Sequence, residues 1–171
     1  MAKTPPDSSE SSQPPREGET ALPFDPASLA PDAGIVFIGR VLSPWKHRSE
    51  CPKNMREARE RGVPAAVEIN QRYTSGLEGL ERYSHVVILT WLDRAQRDLI
   101  VQKPRHAEQA RGTFALRSPV RPNPVGLHVV RLTGAAGAKL MLEGIDVLDG
   151  TPVIDVKPYF ASTDSVPDAA G

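Results

Sequence analysis

Two arginines and an asparagine stand among three closely spaced prolines in Arg117-Ser118-Pro119-Val120-Arg121-Pro122-Asn123-Pro124. Each proline fixes its φ and lacks an N–H, so the stretch can be neither helix nor central strand and must form a rigid loop. Side chains on such a loop lose little further backbone freedom when they bind. Guanidinium forks suit carboxylates and phosphates, and the Asn123 amide offers a donor beside an acceptor. The residues alone leave a second reading equally open, a structural corner whose arginines pair with acids of the core.

Asp155 lies in the apolar run 153–156, where a carboxylate is costly unless paired. Lys157, Arg117 and Arg121 are its candidate partners, and an acid buried beside arginines often marks a site. A purely structural ion pair competes with that reading. Asp149-Gly150 reads as a hairpin turn. Ser43-Pro44-Trp45-Lys46 and Glu50-Cys51-Pro52-Lys53 read as proline-punctuated loops. Trp45 there either stacks on a base or, more commonly for tryptophan, caps a barrel.

Other chemistries lack their residues. There is no G-x-G-x-x-G, no G-x-x-x-x-G-K-[ST] and no G-x-S-x-G. His47, His85, His106 and His128 are dispersed, without paired ligand spacing. His47 and Cys51 lie four apart, but Pro44 and Pro52 flank them and argue against a shared helical metal face. The single cysteine excludes an internal disulfide framework and a multi-thiolate zinc site, and it suits a reducing compartment. No metal is expected.

Short β-branched or alternating runs predict strands over 34–42, 65–70, 85–92, 112–116, 127–132, 139–142 and 152–156. The run from His85 to Leu92 is apolar enough for the central strand. Short helices are expected over 53–61 and 77–82, and Gly134 with Gly137 marks a hairpin turn. Many strands, little helix and frequent Gly/Pro punctuation point to a mainly β fold. It would be a mostly antiparallel sheet closed into a small barrel or a sandwich, with short helices.

The 171 residues carry 21 Lys+Arg and 21 Asp+Glu, a balance that at first speaks against a nucleic-acid partner. Split by segment, it reads otherwise. Residues 1–33 hold seven prolines, six acids and two bases, the composition of a disordered or extended arm. Leu22, Phe24 and Leu29 alone could dock it. Residues 161–171 are a tail. The domain between them, 34–160, has 19 bases against 13 acids, and 94–131 has eight against two. No apolar run approaches the roughly 20 residues of a membrane span, and the N-terminus lacks the apolar core of a signal peptide. A cytoplasmic protein without a membrane partner is expected.

The residues then meet a known family. Ile38-Gly39 leads to Ser43-Pro44, and Gly79-Leu80-Glu81 precedes Tyr83-Ser84-His85. Two long blocks follow, one from Arg111 through the proline loop to Gly126, the other from Ile145 to Tyr159. Together these resemble the YaeB-like or TsaA-like proteins, whose characterised members are the TrmO tRNA methyltransferases. The resemblance implies a small antiparallel β-barrel rather than a Rossmann domain, acting as a homodimer. It implies S-adenosyl-L-methionine as cofactor and methylation of N6 of threonylcarbamoyladenosine at position 37 of tRNA.

By the same resemblance the cofactor is held by Cys51, Pro52 and Lys53, by Leu92 and Asp93, by Arg117 and His128, and by Gly144, Ile145, Asp146 and Val147. Combined with the reading of the residues, Arg117, Arg121 and Asp155 become the candidate catalytic groups. Arg121, Asn123, Lys157 and Tyr159 become the candidate substrate contacts. Two alternatives keep the same residues, a non-catalytic module that binds the cofactor or RNA, and a methyltransferase of a small metabolite.

Overall fold

The computed structural model describes residues 14–105 and 107–170. Among them the chain forms strands β1 (Thr20–Ala21), β2 (Gly39–Leu42), β3 (Pro64–Ile69), β4 (His85–Trp91), β5 (Leu99–Gln102), β6 (Arg111–Gly112), β7 (Val125–Ala136), β8 (Lys139–Glu143) and β9 (Pro152–Pro158). The α-helices are α1 (Met55–Arg61) and α2 (Ala161–Asp164). These elements fall into two compact units. The larger contains Asp32–Asp93 and the described residues from Val125 on; the smaller contains Arg94–Pro124 and the described residues up to Pro31.

The larger unit is a closed antiparallel barrel in the order β2-β3-β8-β7-β4-β9. This bears out the expected mainly β fold. Closure depends on two strands that change partners along their length. In β7 the extra residue Thr133 breaks the register opposite β8, because Leu132 faces Leu142 while Gly134 faces Met141. The strand therefore pairs with β4 through its first half and with β8 through its second. In β9 the extra residue is Ile154: Val153 faces Thr90 while Asp155 faces Leu89. Such bulges bend a strand and increase its twist, as a small barrel requires.

Alternation then sorts the side chains. Val86, Ile88 and Thr90 of β4 point inward, as do His128, Val130 and Leu132 of β7, and they pack with Val41, Val67, Ile69, Leu140, Leu142 and Val153. The apolar run of β4 has neighbours on both edges, but only every second residue is buried. Helix α1 starts at Asn54, whose side chain accepts the Glu57 N–H, and stops at Gly62 with φ +59°. The helix expected over 77–82 is two 3₁₀ segments, Gln71–Leu77 and Leu80–Arg82, separated by Gly79 at φ +83°.

The smaller unit is a three-stranded sheet, β1-β5-β6. Residues 112–116 are not the expected strand. Thr113–Ala115 is a 3₁₀ turn, because the Thr113 hydroxyl donates back to the Leu99 carbonyl at 2.9 Å and winds the chain over β5. That turn buries Thr113 and leaves Phe114 79% exposed. Of the expected arm, 1–13 lie outside the described residues, while Thr20 and Ala21 pair with Val101 and Leu99. Among its docking candidates Leu22 donates its N–H to Asp98 at 2.6 Å, whereas Phe24 and Leu29 stay exposed.

Glu19 anchors that segment. Its carboxylate accepts the Arg16 guanidinium, the Arg16 N–H and the Lys103 N–H, and its side chain is only 4% exposed. The hydrogen bond from Arg16 chiefly holds its carboxyl down at about 2. The resulting stability is present above the ordinary carboxylate range and is lost as pH falls toward that value. We expect Glu19→Gln to cost about 1–3 kcal/mol and to flatten this acid dependence. Hydrogen-exchange protection of the Leu99 and Val101 amides between neutral pH and acid measures both.

Candidate active site

The resemblance-derived cofactor residues of the larger unit meet at one end of the barrel. There the loop after β2, the turn after β8, the last residues of β4 and the start of β7 converge. Side chain to backbone bonds clasp the two connections together. Trp45 Nε1 donates to the Ile145 carbonyl at 2.9 Å, and Ser43 Oγ donates to the Val147 carbonyl at 2.9 Å. Asp149 accepts the Ser43 N–H at 3.0 Å and Lys46 Nζ at 2.6 Å, and its own N–H donates to Trp45. These bonds, with Lys46 foremost, hold its carboxyl below the usual range. Asp149 is thus a clasp as well as the turn residue that its neighbour Gly150 announces.

Helix α1 closes against the same turn. Gly144 has φ +76°, and a Cβ there would lie 2.5 Å from the Ala58 carbonyl, so backbone packs directly on backbone. The Arg61 guanidinium lies 5.3 Å from the centre of the Trp45 ring and bonds the Glu50 carbonyl at 2.7 Å. Cys51 and Pro52 are buried between these elements, and Lys53 is exposed with its N–H bonded to Glu57. Burial pushes the Cys51 thiol up to about 11, with Asp146 and Glu57 adding to the rise and Arg48 and Arg61 opposing it. At neutral pH it is a packing thiol, not a nucleophile.

His128 joins the turn to the barrel wall. Its Nδ1 lies 2.7 Å from Asp146 Oδ1 and its Nε2 lies 2.9 Å from Thr90 Oγ1. Gly126 leaves room for this pairing, since a Cβ there would meet Thr90 Oγ1 at 2.4 Å and His128 Nε2 at 2.5 Å. Leu92 packs on the core and Asp93 is exposed. Sequence reasoning missed Thr90 and the clasping roles of Ser43 and Asp149. No local spacing joins residues about a hundred positions apart, and a threonine in a strand is ordinary.

Asp155 departs from expectation. It is not a buried acid: its side chain is 41% exposed and pairs with Lys157 Nζ at 2.7 Å. The β9 bulge is the reason. With Ile154 as the extra residue, Val153 and Val156 both face the core and Asp155 stands outside. The hydrogen bond to Asp155 raises the Lys157 ammonium above its ordinary range. Tyr159 continues this outer strip, its N–H bonded to the His85 carbonyl at 3.1 Å. Asp155 also lines a cavity of about 320 Å³ with Arg72, Tyr73 and Leu77.

Arg117, Arg121 and Asn123 belong to the smaller unit. Their loop is irregular, as the prolines require, and side chains brace it. Gln102 Nε2 donates to Thr113 Oγ1 at 2.7 Å and to the Val120 carbonyl at 2.6 Å. Arg97 donates to the Pro122 carbonyl at 2.6 Å and reaches Asn123 Oδ1 at 3.4 Å. Arg121 is half-buried and lies 3.5 Å from the Thr113 carbonyl. Arg117 is exposed and has no hydrogen bond or ion pair with the described residues. No three His, Cys, Asp or Glu among the described residues converge as metal ligands.

Two consequences can be measured. Alkylation of Cys51 by iodoacetamide in the folded protein should stay slow at neutral pH and rise only toward about 11. Gly126→Ala should destabilise the barrel by about 1–3 kcal/mol through overpacking, read as a lower midpoint of urea unfolding.

The family of tRNA-methyltransferase O N-terminal domains matches residues 40–165. VirR of Rhizobium radiobacter, a probable S-adenosyl-L-methionine-binding protein, is 39% identical over 127 residues, 74% of this chain and 71% of its own length. A tRNA (adenine(37)-N6)-methyltransferase of Mus musculus is 44% identical over 92 residues, 52% of this chain and 21% of its own length. The crystal structure of TrmO from P. aeruginosa superposes with a TM-score of 0.68 at 34% identity, covering 84% of this chain and 62% of that one. The matched span contains the clasped end of the barrel, the arginine loop and the outer strip of β9. The resemblance drawn from the residues is borne out, and the chain belongs to the family of tRNA-methyltransferase O N-terminal domains.

Proposed function

We propose that this protein transfers a methyl group from S-adenosyl-L-methionine to N6 of threonylcarbamoyladenosine at position 37 of tRNA. The observation that carries the reading is the family match over 40–165, which takes in the barrel and the braced arginine loop together. The clasped end suits the cofactor chemically. Ribose hydroxyls and an ammonium need acceptors, and Asp146 Oδ2 and the exposed Asp93 supply them. Cys51, Pro52, Ile145 and Val147 pack beneath these acceptors as the apolar support of the turn. The bound cofactor contributes an electrophilic methyl on a sulfonium.

In-line methyl transfer makes alignment the main task of the protein. The lone pair of an N6 between a purine and a carbonyl is delocalised, so its N–H is acidified and the developing anion needs stabilisation. Arg117 and Arg121 take that role and also receive the carboxylate or phosphates of the substrate. Their loop is held by Gln102 and Arg97 before any substrate arrives, so little ordering remains to be done. Asn123 adds a substrate contact on that loop, while Lys157, held by Asp155, and Tyr159 lie toward the His85 end of β4, away from the clasped end, and are assigned to more distant parts of the tRNA.

A second copy of the chain fits the outer wall of β4 and β7, where Val125 and Leu127 are exposed beside the half-buried Val87, Leu89 and Val129. Homodimer formation would cover this apolar strip. We place its action in the cytoplasm, and the basic excess of 94–131 serves the phosphates of the tRNA.

The test incubates purified protein with methyl-labelled donor and with tRNA carrying or lacking the threonylcarbamoyl group. We expect one methyl gained on the modified nucleoside only, and Arg121→Ala should lower the single-turnover rate about 100-fold. Binding of tRNA should weaken steeply with salt. Donor binding without incorporation into any RNA would replace the enzyme by a binding module, and turnover independent of tRNA would point to a small metabolite.

A further inference from the structure

We propose that Thr90, His128 and Asp146 form a buried positioning relay, in which His128 aims Asp146 at the cofactor and does not itself touch it. The proposal rests on the reading of 144–147 as a cofactor turn. It departs from that reading at His128, which the family resemblance counts among the cofactor contacts.

The ring of His128 has nothing left to offer a ligand. It is 4% exposed, and both nitrogens are engaged, Nδ1 by Asp146 at 2.7 Å and Nε2 by Thr90 at 2.9 Å. Thr90 is fully buried. Asp146 alone of the three reaches the surface, its side chain 16% exposed, with Oδ1 committed to His128 and Oδ2 bonded to none of the described residues. The working end of the relay is therefore a carboxylate oxygen, and the imidazole stands behind it.

The relay also determines which proton sits where. An ionised carboxylate only accepts, so Nδ1 carries the hydrogen that points at Asp146. In the neutral ring Nε2 then accepts from the Thr90 hydroxyl. Asp146 thereby selects the tautomer, and Thr90, whose hydroxyl can serve either ring form, fixes the ring orientation, much as an outer partner orients a metal-bound histidine. The three residues come from three elements: Thr90 from β4, His128 from β7 and Asp146 from the irregular turn after β8. The turn lacks ladder bonds of its own, and the relay ties it to two strands of the barrel wall. Gly126 keeps the space in which Thr90 and His128 meet.

The test compares wild type, Thr90→Val and Thr90→Ser. Calorimetry gives the affinity for S-adenosyl-L-methionine, single-turnover methylation at saturating donor gives the rate, and ¹⁵N shifts of the His128 ring give its tautomer. We expect Thr90→Val to bind the donor about tenfold more weakly, with the rate at saturation changed less than about threefold. Its ring should keep Nδ1–H, which Asp146 still accepts, and show a shifted Nε2 resonance because that nitrogen has lost its donor. Thr90→Ser, which restores the hydroxyl, should recover affinity and the Nε2 shift together. In wild type, addition of the donor should leave the ring shifts in place, because the imidazole keeps both partners.

A donor-induced change of the Nε2 or Nδ1 shift to that of a new partner would show direct contact and overturn the proposal. So would a folded Thr90→Val that binds the donor as wild type does, while the cofactor reading of 144–147 would stand. Wild type that binds no donor would overturn the cofactor reading itself, and with it the role given to Asp146, whatever the ring shifts show.

Discussion

A closed six-stranded barrel has room inside for a single layer of packed side chains, and every inward position must be apolar or partnered within that layer. This constraint organises the protein. It places Val41, Val67, Ile88, Val130, Leu140 and Val153 in one core, and it admits His128 and Thr90 only because each satisfies the other. Asp146 closes the remaining valence of the imidazole from the barrel's end. The polar part of the site is continuous with the apolar core, so its geometry inherits the rigidity of the strands.

The chemistry is distributed by the same economy. Buried hydroxyls, an imidazole and a protonated thiol lie where strands end, and several ion pairs of the barrel lie on its outer wall. Asp155 and Lys157 neutralise one another on the outer wall, Lys46 and Asp149 do so beside the clasp, and Arg40 pairs with Glu68 on neighbouring strands. In the smaller unit the pattern differs. The loop backbone is satisfied by Gln102 and Arg97, which leaves Arg117 unpaired among the described residues.

Much of this was legible along the chain. Alternation in 65–70 and 127–132, the proline density after Arg117 and the Gly62 stop of α1 are local signals, and each appears in the fold. Other features depend on distant partners. A two-residue strand such as Thr20–Ala21 exists only because the β5 edge receives it, so an acidic, proline-rich composition pointed to an arm. Thr113 winds into a 3₁₀ turn because the Leu99 carbonyl lies within reach of its hydroxyl. The burial expected for Asp155 followed from its place in an apolar run, and one extra residue in β9 turns it outward.

Composition and local pattern specify a mainly β domain with short helices, a rigid arginine-bearing loop and a basic core hidden under a balanced total charge. These follow from φ restriction, side-chain periodicity and residue counts, all of them properties of neighbouring positions. That His128 faces Thr90 and Asp146, that Asp149 clasps Ser43 and Lys46, and that Asp155 stands outside emerge with the folded barrel alone. Those outcomes depend on strand register and bulge placement, which bring residues tens of positions apart to within a hydrogen bond of each other. Closure of the barrel selects that register as a whole, and no segment specifies it alone.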